Sequence, residues 1–318
     1  MPVPSSRTLA WGALVLTAAL WASSAVTARG LLDTLAPAWL AVLRWVVVLA
    51  ALVPFVWRER AAIAHALAHD KRSLAVFAAV GFAPQTYLVY LGLVGTSAIN
   101  LGLLNSAIPV LIVAIAALLH HRRPQPLESA GLALSLAGVA IIVARGQWST
   151  IASLSVNGHD LVILVGMGVW AYYTVRLARR DDGLSFPAFM FAGGLLGLAM
   201  VVPAFVAEAL LHRVVMPTRS EWAGVLYLGV LPTLVAMLLF AYGIRRVGPV
   251  QAGLFTHLVP VFAALLATLF LGETLHAFHA AGFALVAGGA ILGCLKPETA
   301  AADAELAVAA TVAGEPRG

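Results

Sequence analysis

The chain contains one stretch of sequence twice, and this duplication constrains its fold more than any other feature. Nine positions of the first half recur 151 residues later, without a gap, as identical or similar residues: Gly92, Asn100, Gly102, Leu103, Pro109, Val110, Gly131, Leu134 and Gly138 match Gly243, Gln251, Gly253, Leu254, Pro260, Val261, Gly282, Leu285 and Gly289. Closer to the N-terminus, Trp21 and Pro54 recur as Trp170 and Pro203. A long period of this kind indicates two copies of one structural unit.

Composition places both copies in a membrane. Hydrophobic residues make up 62% of the chain and charged residues 10%, with a mean hydropathy of +0.96, whereas a soluble domain has roughly 25% charged residues. The single cysteine, Cys294, excludes an intramolecular disulfide and a cysteine-cluster metal site. The sequence therefore predicts an integral membrane protein.

Ten apolar runs are long enough to cross a bilayer of roughly 30 Å. Because their apolar residues are continuous rather than alternating, they indicate helices and not barrel strands. An odd number of helices in each copy turns the second copy over, so we predict an all-α fold with ten transmembrane helices as two inverted five-helix repeats. The predicted spans are 9–28, 38–57, 74–94, 98–119, 127–144, 161–178, 187–211, 222–243, 250–271 and 276–295.

The repeats account for most of the chain. We assign residues 1–8 to a cytoplasmic N-terminus, 9–146 to the first repeat, 158–295 to the second, inverted repeat, and 296–318 to a disordered cytoplasmic tail rich in Ala. Fourteen of the nineteen Lys and Arg residues lie on one side of this arrangement, and by the positive-inside rule that side, with both termini, is cytoplasmic. This asymmetry explains the net charge of +5, so nucleic acid is not an expected partner.

A family resemblance rests on the duplication and on a few positions within it. The chain has a Pro in the fourth and the ninth span, Gly272-Glu273 after the ninth, and Trp21 and Arg44 in the first two. In this combination it resembles the EamA-like family of the drug/metabolite transporter superfamily over residues 9–295. The resemblance implies a carrier in the cell inner (plasma) membrane that exports small metabolites, amino acids and aromatic amino acids among them, through a cavity between the repeats. The first repeat departs from the family pattern with Arg122 at the position of Glu273.

Four prolines near the middle of predicted spans are candidate helix kinks: Pro84, Pro109, Pro232 and Pro260. Irregular backbone at membrane depth is tolerated where it lines a wet cavity, although Pro is also common in membrane helices generally. Polar residues recur beside them at equivalent positions, either as substrate contacts or as hydrogen bonds between helices: Asn100 with Gln251, Asn105 with Thr256, and Ser106 with His257. Asn100 and Gln251 lie near helix ends and are gate candidates.

Aromatic side chains at membrane depth are further candidates for the substrate cavity, because they can stack on planar groups and attract an ammonium group. The alternative for each is ordinary helix packing. These aromatic candidates are Trp21, Tyr87, Tyr90, Trp170, Tyr173 and Tyr242, and Gln85 joins them as a polar candidate.

Charged and titratable residues inside the spans are few. Arg44 could snorkel outward, meet a substrate carboxylate or cap carbonyls of a neighbouring helix. No Asp or Glu lies at the centre of a span, so His257 is the remaining candidate for a proton relay. A buried His is more often neutral and hydrogen-bonded, which favours facilitated diffusion or exchange over proton antiport. The paired His residues at 65, 69, 276 and 279 lack a third ligand, so no metal site is predicted.

The leading functional interpretation is a secondary transporter of a small organic molecule, monomeric or weakly dimeric, surrounded by lipid and without a cofactor. No Gly-rich phosphate loop with a Lys is present to use ATP. The alternatives are a membrane-embedded enzyme and a non-transporting sensor or scaffold. The spans hold no HExxH, no GxSxG and no acid pair, and polar residues repeated in both halves disfavour a scaffold. Within transport, amines, drugs and nucleosides remain alternatives to amino acids.

Overall fold

The computed structural model describes residues 6–294, except 97, 121–123, 145–146, 148, 150–151, 153–156, 212–213 and 272–275. This part of the chain is helical and contains no strand. The first half comprises α1 (Ser6–Leu31), α2 (Pro37–Val56), α3 (Arg60–His69), α4 (Lys71–Gly81), α5 (Ala83–Leu93), α6 (Ala98–His120) and α7 (Pro126–Val143). The second half comprises α8 (Gly158–Leu177), α9 (Phe186–Leu211), α10 (Arg219–Gly229), α11 (Ala236–Val247), α12 (Pro249–Leu254), α13 (Leu258–Leu271) and α14 (Ala277–Cys294).

Within the described ranges, nine helical segments are long and apolar enough to cross a membrane. They match nine of the ten predicted spans. The remaining predicted span, 98–119, falls on α6. Large apolar side chains point away from the core, with Leu118, Leu210 and Leu269 at least three-quarters exposed. An apolar exterior on such a scale is what lipid contact requires, and the protein is a multi-pass membrane protein.

Three of the predicted spans are interrupted rather than continuous. The third is split into α4 and α5 at Phe82, whose φ of −123° and ψ of −130° are not helical, and Pro84 lies in the first turn of α5. The eighth contains a π-helical segment, Val230–Val235, between α10 and α11. The ninth passes through a 3-10 turn, Phe255–His257, between α12 and α13. In contrast, α6 continues through Pro109.

The first helix of each half packs against helices of the other half. Helix α1 contacts α11 and α13, and α8 contacts α5 and α6. The close approaches correspond to each other: a Cβ on Gly243 would collide with Leu14, and a Cβ on Gly92 with Ile163. A side chain at Gly243 would have to displace Leu14, and one at Gly92 would also meet the backbone carbonyl oxygen of His159, so the helices approach closely at both points. The two halves therefore interlock and do not form separate bundles.

The last helices of the halves, α7 and α14, meet along a seam of small residues. A Cβ on Gly131 would lie 2.5 Å from the carbonyl oxygen of Gly289, and a Cβ on Gly138 would lie 2.7 Å from that of Gly282. Between them, the Ser135 hydroxyl donates to the carbonyl oxygen of Val286 (3.4 Å). Because residue numbers rise along one helix as they fall along the other, α7 and α14 run antiparallel. We call this contact the glycine seam.

The second helices, α2 and α9, are joined at both ends by a carboxylate. Glu208, at the end of α9, accepts from the backbone N–H of Ala38 in the first turn of α2 (2.9 and 3.1 Å). Glu59, just beyond α2, accepts from the hydroxyl and N–H of Ser185, which precedes α9 (2.6 and 3.2 Å). A carboxylate satisfies free N–H groups and the positive end of the helix dipole. Each helix thus caps the start of the other.

Candidate functional site

A cavity lies where helices of both halves meet. About 170 Å³ of it is open to the centre of a water-sized molecule, several times the space that one water needs. The interrupted third, eighth and ninth spans all contribute to its wall, together with α1, α2, α6 and α8. The lining residues are Trp21, Ser24, Ala25, Ala28, Arg44, Trp45, Gly81, Gln85, Thr86, Val89, Tyr90, Leu93, Asn105, Ile108, Met167, Trp170, Pro232, Thr233, Met237, Thr256 and Val259.

One side of the cavity is aromatic. Trp21 on α1 and Trp170 on α8, which are equivalent positions of the repeats, meet edge to face with ring centroids 5.4 Å apart. Phe240 supports both rings, at 4.9 Å from Trp21 and 5.8 Å from Trp170. Tyr173 stacks behind Trp170 at 5.0 Å. Such a packed wall offers rigid apolar surface to a ligand.

The polar, cationic side of the cavity is formed by Arg44. Its side chain projects from α2 into the cavity and does not snorkel to a membrane surface. Its Nε–H donates to the Thr233 hydroxyl (2.5 Å), and Nη1 donates to the Tyr90 hydroxyl (2.6 Å). The guanidinium carbon lies 5.7 Å from the centre of the Tyr90 ring. Arg44 is 9% exposed and is the one charged side chain among the described lining residues.

Thr233 receives this hydrogen bond because of the π-helical segment in which it lies. Its hydroxyl donates to the carbonyl oxygen of Leu228 (2.6 Å), five residues earlier, and so its lone pairs are available to Arg44. Pro232, which has no N–H, lies in the same segment and also lines the cavity. Segments of π-helix are frequent at functional sites. Here the segment supplies the hydroxyl that binds Arg44, so it joins the second span to the eighth by a hydrogen bond.

Neutral polar groups complete the lining. Gln85 on α5 and Asn105 on α6 each present an amide, which can donate and accept. The Thr256 hydroxyl donates to the Gly253 carbonyl oxygen (2.7 Å), leaving lone pairs as acceptors. The Thr86 hydroxyl accepts from the indole N–H of Trp45 (3.1 Å) and donates to the carbonyl oxygen of Phe82 (3.2 Å). The cavity is therefore mixed in character, with an aromatic side and a polar, cationic side.

The structure brings together part of the predicted site set. Trp21, Gln85, Tyr90, Asn105, Trp170, Thr256, Arg44 and Pro232 all line the cavity. Other predicted cavity residues lie outside its described lining: Tyr173 is buried behind Trp170, Tyr87 is half-buried on α5, and Tyr242 lies under Arg246 on α11. The side chain of Asn100 is outside the described residues. Gln251 donates to the carbonyl oxygen of Cys294 (3.4 Å), away from the lining.

His257 also lies outside the cavity lining and is completely buried. Its Nε2 lies 3.1 Å from the carbonyl oxygen of Ser106, its equivalent in the first repeat. A carbonyl only accepts, so Nε2 is the donor. The bond therefore links the two halves near Pro109 of α6 and Pro260 of α13.

Sequence reasoning missed several cavity residues. Thr233, Thr86 and Ser24 are ordinary small polar residues, and nothing in their spacing marks them. Thr233 follows Pro232, and this adjacency was the only local signal. The positions of Arg44 and Thr233 on facing helices depend on tertiary packing, which one sequence does not reveal.

Fold and cavity together define a helical membrane protein with an internal site between two sequence repeats. The EamA-like transporter family matches residues 9–144 and 158–293. The chain belongs to that family, as the sequence resemblance predicted.

Three relatives carry names that describe transporters. An uncharacterized transporter of Archaeoglobus fulgidus is 27% identical over 286 residues, which cover 89% of this chain and 96% of the relative. A probable terminal-alkyne amino-acid exporter of Streptantibioticus cattleyicolor is 28% identical over 283 residues, or 88% and 91% of the two chains. The uncharacterized inner membrane transporter YedA of Escherichia coli K12 is 31% identical over 156 residues, 48% of each chain.

A solved crystal structure shares the fold. It matches with a TM-score of 0.70 and 21% sequence identity over 91% of this chain and 96% of its own length. Family and relatives together point to a membrane transporter and not to an enzyme.

Proposed function

We propose that this chain is a secondary transporter that exports a small organic metabolite, an amino acid in the first instance, across the cell inner membrane. The observation that carries the proposal is the cavity, which both repeats line with groups suited to a small polar-aromatic molecule. A scaffold needs no such space at its centre. The family membership and the named exporter among the relatives support transport and an amino-acid substrate.

The proposed topology has ten spans as two inverted five-helix repeats, with both termini in the cytoplasm. Antiparallel packing of the equivalent helices α7 and α14 supports the inversion, because two copies in one orientation would place these helices parallel. The distribution of Lys and Arg supports the orientation. A complete cavity forms within one chain, so a monomer is sufficient for transport.

Alternating access follows from this symmetry. Two inverted repeats can exchange conformations, so that a site open to one side of the membrane becomes open to the other. The interrupted third, eighth and ninth spans are the flexible elements of the wall, while the glycine seam keeps the halves together. With no acid in the described cavity lining, facilitated diffusion or exchange is the proposed mode.

The test is uptake into proteoliposomes from a mixed pool of amino acids, amines, nucleosides and other metabolites, read by mass spectrometry with and without a pH gradient. Selective accumulation above protein-free liposomes, with amino acids leading and no requirement for the gradient, is expected. A folded, reconstituted protein that accumulates nothing from the pool would contradict transport. Accumulation of amines alone would contradict the amino-acid assignment.

A further inference from the structure

We infer that the cavity recognises its substrate through a carboxylate held by Arg44, so that a carboxylate binds without an ammonium group and an amine without a carboxylate does not. The inference rests on the proposed transport function and deepens it by naming the chemical group that the site selects. It also separates acids from the amines that the aromatic wall alone would accept.

Arg44 is buried at membrane depth. Arg44 is the eighth residue of α2, roughly 10 Å along the helix axis from its start. A guanidinium at this depth is costly unless an anion or several acceptors compensate it. Its partners in the described part of the chain are two neutral hydroxyls, those of Thr233 and Tyr90. The charge is held in place but is not neutralised by these contacts.

The guanidinium of Arg44 keeps free donors in a fixed orientation. A guanidinium has five N–H donors, of which the two hydrogen bonds use one on Nε and one on Nη1. Hydroxyls on two different helices thus fix the plane of the group while three donors remain. The Tyr90 hydroxyl accepts from Arg44, and so its own proton can be donated into the cavity. Arg44 and Tyr90 together form a pre-oriented set of donors for two carboxylate oxygens.

The remaining lining explains the asymmetry between acids and amines. Among the described lining residues there is no carboxylate to pair with an ammonium group, and Arg44 repels any cation that enters. The amides of Gln85 and Asn105 and the faces of Trp21 and Trp170 can accept an ammonium group that a carboxylate has already brought in. An amino group is therefore tolerated, whereas a carboxylate is required.

Three probes with the same phenyl ring test this directly: 3-phenylpropanoate has only the carboxylate, L-phenylalanine has both groups, and 2-phenylethylamine has only the ammonium. Binding to the purified full-length protein is measured by calorimetry or by thermal stabilisation. The two acids should bind, and the amine should bind at least roughly tenfold more weakly, in line with the loss of a charge-assisted hydrogen bond. Equal binding of the amine, or binding of none of the three, would overturn the inference.

Variants of Arg44 and of its partner Tyr90 test whether Arg44 causes the preference for acids. Arg44→Gln should weaken both acids roughly 10- to 100-fold and leave the weak binding of the amine unchanged or improved. Arg44→Lys keeps the charge but loses the planar fork, so it should still reject the amine while binding the acids more weakly than the native protein does. Tyr90→Phe leaves the cation and removes one tether, with a smaller loss expected. Acid binding unchanged in Arg44→Gln would overturn the inference.

The Arg44→Lys variant keeps the test decisive if Arg44→Gln does not fold, since it retains a buried cation. The mixed-pool uptake assay separates this inference from the proposed function. Uptake of compounds that lack a carboxylate would leave transport standing and remove the role of Arg44. No uptake of any compound would remove both.

Discussion

Two of the places where the repeats meet are built in opposite ways. At the glycine seam, Gly131, Gly138, Gly282 and Gly289 bring α7 and α14 so close that a single methyl group would collide with the facing backbone. At the cavity, large side chains and interrupted helices enclose a space between the halves, which touch there only through side chains such as Trp21 with Trp170 and Arg44 with Thr233 among the described lining residues. One duplicated sequence thus supplies both a closed interface and an open one.

The difference shows how a symmetric chain divides its tasks. Between helices in lipid, small residues give the close packing that holds them together, since no hydrophobic effect does so there. Polar and charged groups at that depth are retained where they line an aqueous space. The seam is accordingly suited to a fixed joint, and the cavity is suited to binding.

The largest expected effect comes from breaking the seam. Gly289→Ala places a methyl group 2.6 Å from the carbonyl oxygen of Gly131 and against the Ser135 hydroxyl, so it should destabilise the protein by about 1–3 kcal/mol. Gly288→Ala is the matched control, because the nearest atom to its new methyl, on Leu134, is 3.8 Å away. Melting temperatures in detergent measure both. Equal melting temperatures for the two variants would contradict the fixed joint.

The aromatic wall gives the next effect. Trp170→Ala removes the ring that meets Trp21 edge to face and should lower flux roughly tenfold, the equivalent of about 1.4 kcal/mol of ligand binding. Trp39→Ala removes a tryptophan that stacks on Phe205 outside the cavity lining, so flux per folded molecule should be unchanged. The fluxes of the two variants are compared as initial uptake rates in proteoliposomes, normalised to inserted protein. Similar losses in both variants would remove Trp170 from the site.

The two carboxylate caps on α2 and α9 are a third contact between the repeats, and its strength can be compared with that of the seam and the cavity. Glu208→Gln and Glu59→Gln each weaken one cap, and each should cost about 0.5–1 kcal/mol of stability, since a charged acceptor becomes neutral. The caps lie at opposite ends of helices of 20 and 26 residues, roughly 30 and 40 Å long, so the costs should add in the double variant. A non-additive result would indicate that the caps open and close together.

The smallest effect is expected at His257, which joins the halves beside the cavity. His257→Gln can keep a donor toward the Ser106 carbonyl and should change stability by less than about 1 kcal/mol. Because His257 lies outside the described lining, any response of uptake to a pH gradient should persist. The control is His65→Gln on the exposed α3. Loss of the gradient response in His257→Gln alone would restore the proton-relay hypothesis.

Much of the fold could be predicted from apolar runs and the repeat. The apolar runs marked the helical segments because each must satisfy its own backbone in lipid. The interruption at Phe82 and the π-helical segment at Val230–Val235 could not be placed, since Pro restricts the backbone without fixing which irregular form results.

The site was predictable only in part, for a related reason. The pairs Trp21 with Trp170 and Asn105 with Thr256 were predicted correctly as cavity residues. The cavity lies between the two repeats, so equivalent residues reach it from both sides. Arg44 has no charged equivalent in the second half, and its orientation depends on Thr233 and Tyr90. The caps Glu59 and Glu208 were missed although they recur with the same spacing as Trp21 and Trp170.

The most direct test of the central claim is thiol labelling of the two interfaces in the membrane. Ser24→Cys places a thiol in the cavity lining, and Ser135→Cys places one in the seam, each on a background with the native buried Cys294 replaced by Ala. Both serines are small and buried, so the substitutions are matched. A small water-soluble thiol reagent should modify Ser24→Cys and block uptake, and transported substrate should slow this modification, while Ser135→Cys should stay unmodified. Labelling of the seam position, with an inert cavity position, would contradict it.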